Sequence, residues 1–144
     1  MSTETRELVV SKLFFQDDTQ KSDLLDPEIT NTNLIAALDD LLTQGHHIEI
    51  TAVKSDHRDD GCGSGLHESG CAVDCWPLNG PNPGQYLDAG TEAFIAFLRD
   101  VQAADYVYDV GLGGVAYTSV NMTAAGPTAF QDDSEDHVHI GVRE

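Results

Sequence analysis

Leu34, Ile35, Leu38, Leu41 and Leu42 recur at the three-and-four spacing of one helix face, with Thr32 or Asn33 placed to cap the start and Gly45 to end it. A second helix is written after Thr91, where Glu92 falls in the first turn and Ala93, Phe94, Phe97, Leu98 and Val101 make an apolar stripe. Between them the period changes to two, because Ile48-Glu49-Ile50-Thr51-Ala52-Val53 alternates as a half-buried strand does. Residues 71–75 and 106–110 read as further short strands. The last strand spans 137–142, with His137, His139 and Gly141 on one face and Val138, Ile140 and Val142 on the other. Residues 7–15, apolar and β-branched at Leu8-Val9-Val10 and Leu13-Phe14-Phe15, predict an opening strand, followed over 16–32 by a polar connector. Pro77, Gly80, Pro81, Pro83, Gly84 and Gly90 predict an irregular loop, and residues 111–130, with Gly113-Gly114 and Gly126-Pro127, follow neither period. The sum is an α+β fold: a small antiparallel sheet with two main helices packed on it, in one domain over 1–144 without internal repeats.

A chain of 144 residues can bury a real core without staples. Its formal net charge of −18 at pH 7, from 25 acidic against 7 basic residues, would repel nucleic acid or an anionic membrane, so neither is expected as a partner. Such acidity suits a halophilic protein, whose self-repulsion is screened by salt; it also suits a highly soluble protein or a face for basic partners. The apolar runs near the start are too short for a signal peptide or a membrane span, which predicts a protein that stays in the cytoplasm until lysis or travels with a virion. Asn121-Met122-Thr123 fits a glycosylation sequon, and without a secretion signal it reads as a polar loop.

The chemistry concentrates in two segments. His67-Glu68-Ser69-Gly70-Cys71-Ala72-Val73-Asp74 has the form H-x-x-G-x-A-x-D, and Asp136-His137-Val138-His139 sets a carboxylate three residues ahead of a histidine in a strand. Zinc takes imidazole and carboxylate ligands in tetrahedral geometry, and a catalytic site keeps a position open for water. His67, Asp74 and His139 supply three ligands, and Asp136 is the acid left over. If residues 71–75 form a strand, Ala72 and Asp74 share a face, so an inward Asp74 can meet His67 returning from the preceding loop. His137 shares the face of His139, within reach of the reacting oxygen as a donor or as part of the base. His46, His47 and His57 lack such neighbours and read as bystanders.

Three cysteines surround the first motif and leave a second metal reading. Cys62, Cys71 and Cys75 with His67 could make a structural zinc knuckle. Against it, Cys71 and Cys75 on one strand face would stand roughly 13 Å apart, too far to share a metal. A disulfide from Cys62 to Cys71 or Cys75 would need an oxidising compartment.

His67-x-x-Gly70-x-Ala72-x-Asp74 with the later Asp136-x-x-His139 resembles the LAS superfamily, the zinc D-alanyl-D-alanine peptidases and their relatives. Leu66-His67 through Asp74 with His137-x-His139 is also similar to the hedgehog signalling domain. The resemblance covers residues 48–144 and implies the LAS/hedgehog-like zinc-peptidase fold, with His67, Asp74 and His139 on Zn2+ and Asp136 as general base. Aspartate at that position resembles the phage endolysins that cut the L-alanyl-D-glutamate bond. It further implies a role for Arg58 toward a substrate carboxylate or carbonyl, against the plainer reading of a surface ion pair. One departure is Gly65, where the family often has serine; Ser64 lies one place further back. The implied activity is hydrolysis of bacterial cell-wall (peptidoglycan) peptides. The contrasting expectation is a non-catalytic zinc-binding structural or receptor-binding module of the same fold, a virion or surface component with virion or surface-layer proteins as partners.

Overall fold

The computed structural model describes residues 1–53, 72–112, 115–117 and 137–142. In chain order its elements are α1 (Thr3–Ser11), β1 (Phe14–Phe15), α2 (Asp18–Leu25), α3 (Thr32–Thr43), β2 (Ile48–Ala52), β3 (Ala72–Pro77), α4 (Glu92–Ala103), β4 (Val107–Leu112), β5 (Val115–Tyr117) and β6 (Val138–Val142). The strands form one sheet in the order β1-β2-β3-β6-β4-β5. The class is α+β, as expected, with two differences. The sheet is mixed rather than antiparallel, because β1 runs parallel to β2. Four helices, not two, are found among the described residues.

Both extra helices lie where the sequence suggested strand or connector. Residues 3–11 are helical because Ser2 caps them, its Oγ accepting from the Thr5 amide at 3.1 Å, and because Arg6, Val9 and Val10 then fall on one buried face. Packing on that face overrides the strand preference of the Val9-Val10 pair. α2 starts with a capping box, in which the Asp17 carboxylate accepts from the Thr19 amide at 2.8 Å and Gln20 Oε1 accepts from the Asp17 amide at 2.6 Å. Hydrogen bonds to the carboxylate from the Thr19 amide first, and from the Thr19 and Gln20 side chains, hold the Asp17 carboxyl below its usual range.

Arg6 ties these helices together. It is only 3% exposed, and its guanidinium donates to the Leu24 carbonyl at 2.8 Å and the Thr30 carbonyl at 3.1 Å. Burial lowers its pKa, opposed by the charge of Asp26. Thr30 Oγ1 in turn donates to the Asp23 carbonyl at 2.6 Å, closing the loop after α2.

The two expected helices are in place. α3 is capped by Asn31, one residue ahead of the expected Thr32 or Asn33. It ends at Gly45, whose φ of +96° turns the chain while the Gly45 and His46 amides bond to the Leu42 and Leu41 carbonyls. In α4 the Thr91 hydroxyl accepts from the Phe94 amide at 3.2 Å. Helical side chains Leu34, Leu38, Phe97 and Leu98 then meet Ile50, Val73, Cys75, Val138 and Ile140 in one continuous core. Every strand residue just named points to the same side of the sheet, so the helices cover that side.

Candidate metal centre

Alternation along the central strands carries polar chemistry to the other side. On β3, Asp74 lies between the core residues Val73 and Cys75; on β6, His139 lies between Val138 and Ile140. The antiparallel register pairs Asp74 with His139 directly. His139 Nδ1 lies 3.5 Å from Asp74 Oδ1, and His137 Nε2 lies 3.9 Å from Asp74 Oδ2. Asp74 is 4% exposed, while both imidazoles are about half-buried. Its other cross-strand partner is Ala52, reached across a register shift in β2, and His139 pairs on its far side with Gly111. Neither partner has a side chain longer than a methyl, so neither can fold over the carboxylate.

This pair could supply two ligands to a metal. Two donors 2.0 to 2.2 Å from one tetrahedral zinc stand roughly 3.3 Å apart, close to the 3.5 Å between His139 Nδ1 and Asp74 Oδ1. Among the described residues no three His, Cys, Asp or Glu side chains converge on one metal position. The third ligand named by the sequence, His67, lies outside the described residues, as do Asp136, Arg58, Cys62 and Cys71. Of the six expected site residues, therefore, Asp74, His137 and His139 come together.

Cys75 takes no part in this cluster. It points into the apolar core as a buried free thiol, and burial, helped by the neighbouring charge of Asp74, pushes its pKa well up. A thiol so placed stands on the opposite side of β3 from Asp74, and the other residues of the knuckle, Cys62, His67 and Cys71, lie outside the described residues. His46 is structural, with Nε2 2.7 Å from Asp100 Oδ2 and its ring edge-on to Phe97 at 5.1 Å.

Sequence reasoning gave no role to Glu49, Trp76 and Tyr86, which line an open groove of about 460 Å³ beside the cluster. Glu49 was legible only as the polar half of an alternating strand; its pairing with Trp76 depends on a register that no local pattern states. No helix among the described residues is long and apolar enough to cross a membrane. Compared with protein-family models, with curated proteins and with solved structures, the chain gives no match.

Proposed function

We propose that the protein is a zinc-dependent peptidase acting on cell-wall peptides, with His67, Asp74 and His139 as its metal ligands. The observation that carries the reading is the juxtaposition of Asp74 and His139 at ligand spacing on the sheet face opposite Val73, Cys75, Val138 and Ile140. Bound zinc would supply Lewis acidity toward a water and the scissile carbonyl. The chain's own groups divide the remaining work. Asp74, held by β3 in a nearly closed environment, fixes the position of the centre. Asp136 takes a proton from the attacking water and passes it to the leaving amine, the usual task of a general acid and base. His137, beside Asp74, donates toward the oxygen on which negative charge builds.

Metal analysis comes first. Wild type should carry one zinc per chain, and Asp74→Asn and His139→Ala should each lose it. Zinc kept in both variants but lost on Cys71→Ser would return the metal to the cysteines. Incubation with intact peptidoglycan and with defined stem peptides, at low and at multimolar salt, should then release new amino termini. Two salts are needed because a chain at −18 folds best where its self-repulsion is screened. Folded, zinc-loaded protein that yields no product in either salt would be a non-catalytic zinc module instead.

A further inference from the structure

The groove beside the metal centre has a chemistry of its own. Its described lining includes Gln16, Glu49, Thr51, Trp76, Tyr86 and Asp88, two carboxylates without a lysine or arginine. Glu49 is 8% exposed. A carboxylate recessed in this way gains from partners for its lone pairs. Tyr86 supplies one, its hydroxyl donating to Glu49 Oε1 at 2.8 Å. That hydrogen bond, with burial and the charge of Glu49, raises the Tyr86 pKa and keeps the phenol a donor. Across the β2–β3 register from Glu49 stands Trp76. Its indole is fixed, with Nε1 donating to the Leu87 carbonyl at 2.8 Å and the ring 4.9 Å from that of Phe94.

A recessed carboxylate beside an immobilised indole is an arrangement for an organic cation, which gains from both the charge and the ring. The form of the carboxylate selects among cations. A guanidinium is held best by both oxygens of a free carboxylate, and here Tyr86 occupies one. A compact ammonium needs only one. We propose that this groove receives the primary ammonium group of a peptide ligand, held by the Glu49 carboxylate against Trp76. Trp76 lies two residues from Asp74 on one strand face, a separation of roughly 7 Å. An extended peptide covers that distance in about two residues. The groove thus selects substrates with a free amine near the scissile bond, a placement that rests on the peptidase reading, although the binding does not.

Trp76 is the single tryptophan of the chain, so its emission reports on the groove directly. The full-length protein would be titrated with acetyl-Ala-Lys-Ala-amide and with the same peptide acetylated on the lysine amine. The free-amine peptide should shift Trp76 emission saturably, and the acetylated one should bind roughly ten- to hundredfold more weakly, the usual worth of a charge-assisted hydrogen bond. Glu49→Gln should reproduce that loss, whereas Glu4→Gln, an equal charge change on exposed α1, should not. Equal binding of the two peptides, unaltered binding by Glu49→Gln, or no saturable shift would overturn the proposal. The acetylated peptide tests the unmutated chain, so the result stands even if Glu49→Gln fails to fold. Emission is read without turnover: hydrolysis can fail while the ammonium still binds, and zinc-dependent hydrolysis can persist with no preference for the amine.

Discussion

The two sides of the central sheet are made from the same strands and serve opposite ends. On β3, Val73 and Cys75 are sealed under the helices while Asp74 between them carries charge; on β6, Val138 and Ile140 flank His139 in the same way. The covered side resembles many small α+β cores, in which residues are chosen by volume and fit. On the opposite side Asp74, His137 and His139 bring donor atoms together. A change on one side should therefore alter stability and spare chemistry, and a change on the other should do the reverse.

The most severe break on the chemical side is Asp136→Asn. Hydrolysis should fall by about two to four orders of magnitude, with zinc content and melting temperature held. Turnover that does not change would move the base to His137.

On the covered side, Phe97→Ala should cost about 3–5 kcal/mol of unfolding free energy through the lost burial and the cavity left behind. Denaturant titration measures it, and zinc stoichiometry should persist at concentrations where the variant remains folded. Loss of zinc from the folded variant would mean that the two sides are coupled through the sheet.

Arg6 is charged yet sits on the covered side, and so tests whether volume alone matters there. Arg6→Met keeps the bulk and strips donors from the Leu24 and Thr30 carbonyls. A loss of about 2–3 kcal/mol is expected, on the scale of hydrogen bonds from a charged donor; a neutral result would assign the stabilisation to packing.

Cys75 sharpens the contrast through pH. In the unfolded chain its thiol ionises near the ordinary thiol value of 9.0, whereas burial holds the folded thiol protonated far above that. Below about pH 9 both states keep the proton and the thiol contributes no pH dependence. As pH rises further, only the unfolded state releases it, and stability should fall by about 1.4 kcal/mol per pH unit. The steepening should be present in wild type and absent from Cys75→Ala, with urea melts between about pH 9 and 10.5 as the readout.

The smallest effect is expected where the chain leaves α4 for β4. Tyr106 has φ of +72°, a left-handed conformation that burdens a side chain, and it is exposed. Tyr106→Gly should be stabilising by about 0.5–1 kcal/mol, the relief of strain less the added freedom of the unfolded chain. A destabilised variant would show that the tyrosine ring makes contacts worth more than the strain.

Much of this arrangement was legible because periodicity reports faces. The leucine spacing of α3, the Thr91 cap of α4 and the alternation in 48–53 and 137–142 led to elements within a residue or two of those observed. The opposite placement of Asp74 and Cys75 followed from the same rule. Two helices escaped it. In α1 the β-branched pair Val9-Val10 outweighed the Ser2 cap, and in α2 few apolar residues back a capping box that was nonetheless written as Asp17-x-x-Gln20. The parallel placement of β1 beside β2 was also out of reach, since two residues contain no statement of direction. Of the site, Asp74 and the two histidines emerged from motif spacing. Glu49 opposite Trp76 is a long-range pairing and had no local trace.

The brief β1 has a bearing on how the protein keeps its own company. β2 has Ile48 and Ile50 on its covered face, and a strand of that kind left with bare amides and carbonyls invites another chain to add itself. Phe14 and Phe15 occupy that flank, and the Gln16 amide extends the seal to the Ile50 carbonyl at 3.0 Å. Three residues between two helices thus guard against self-assembly into aggregates, where salt weakens the mutual repulsion of so acidic a chain.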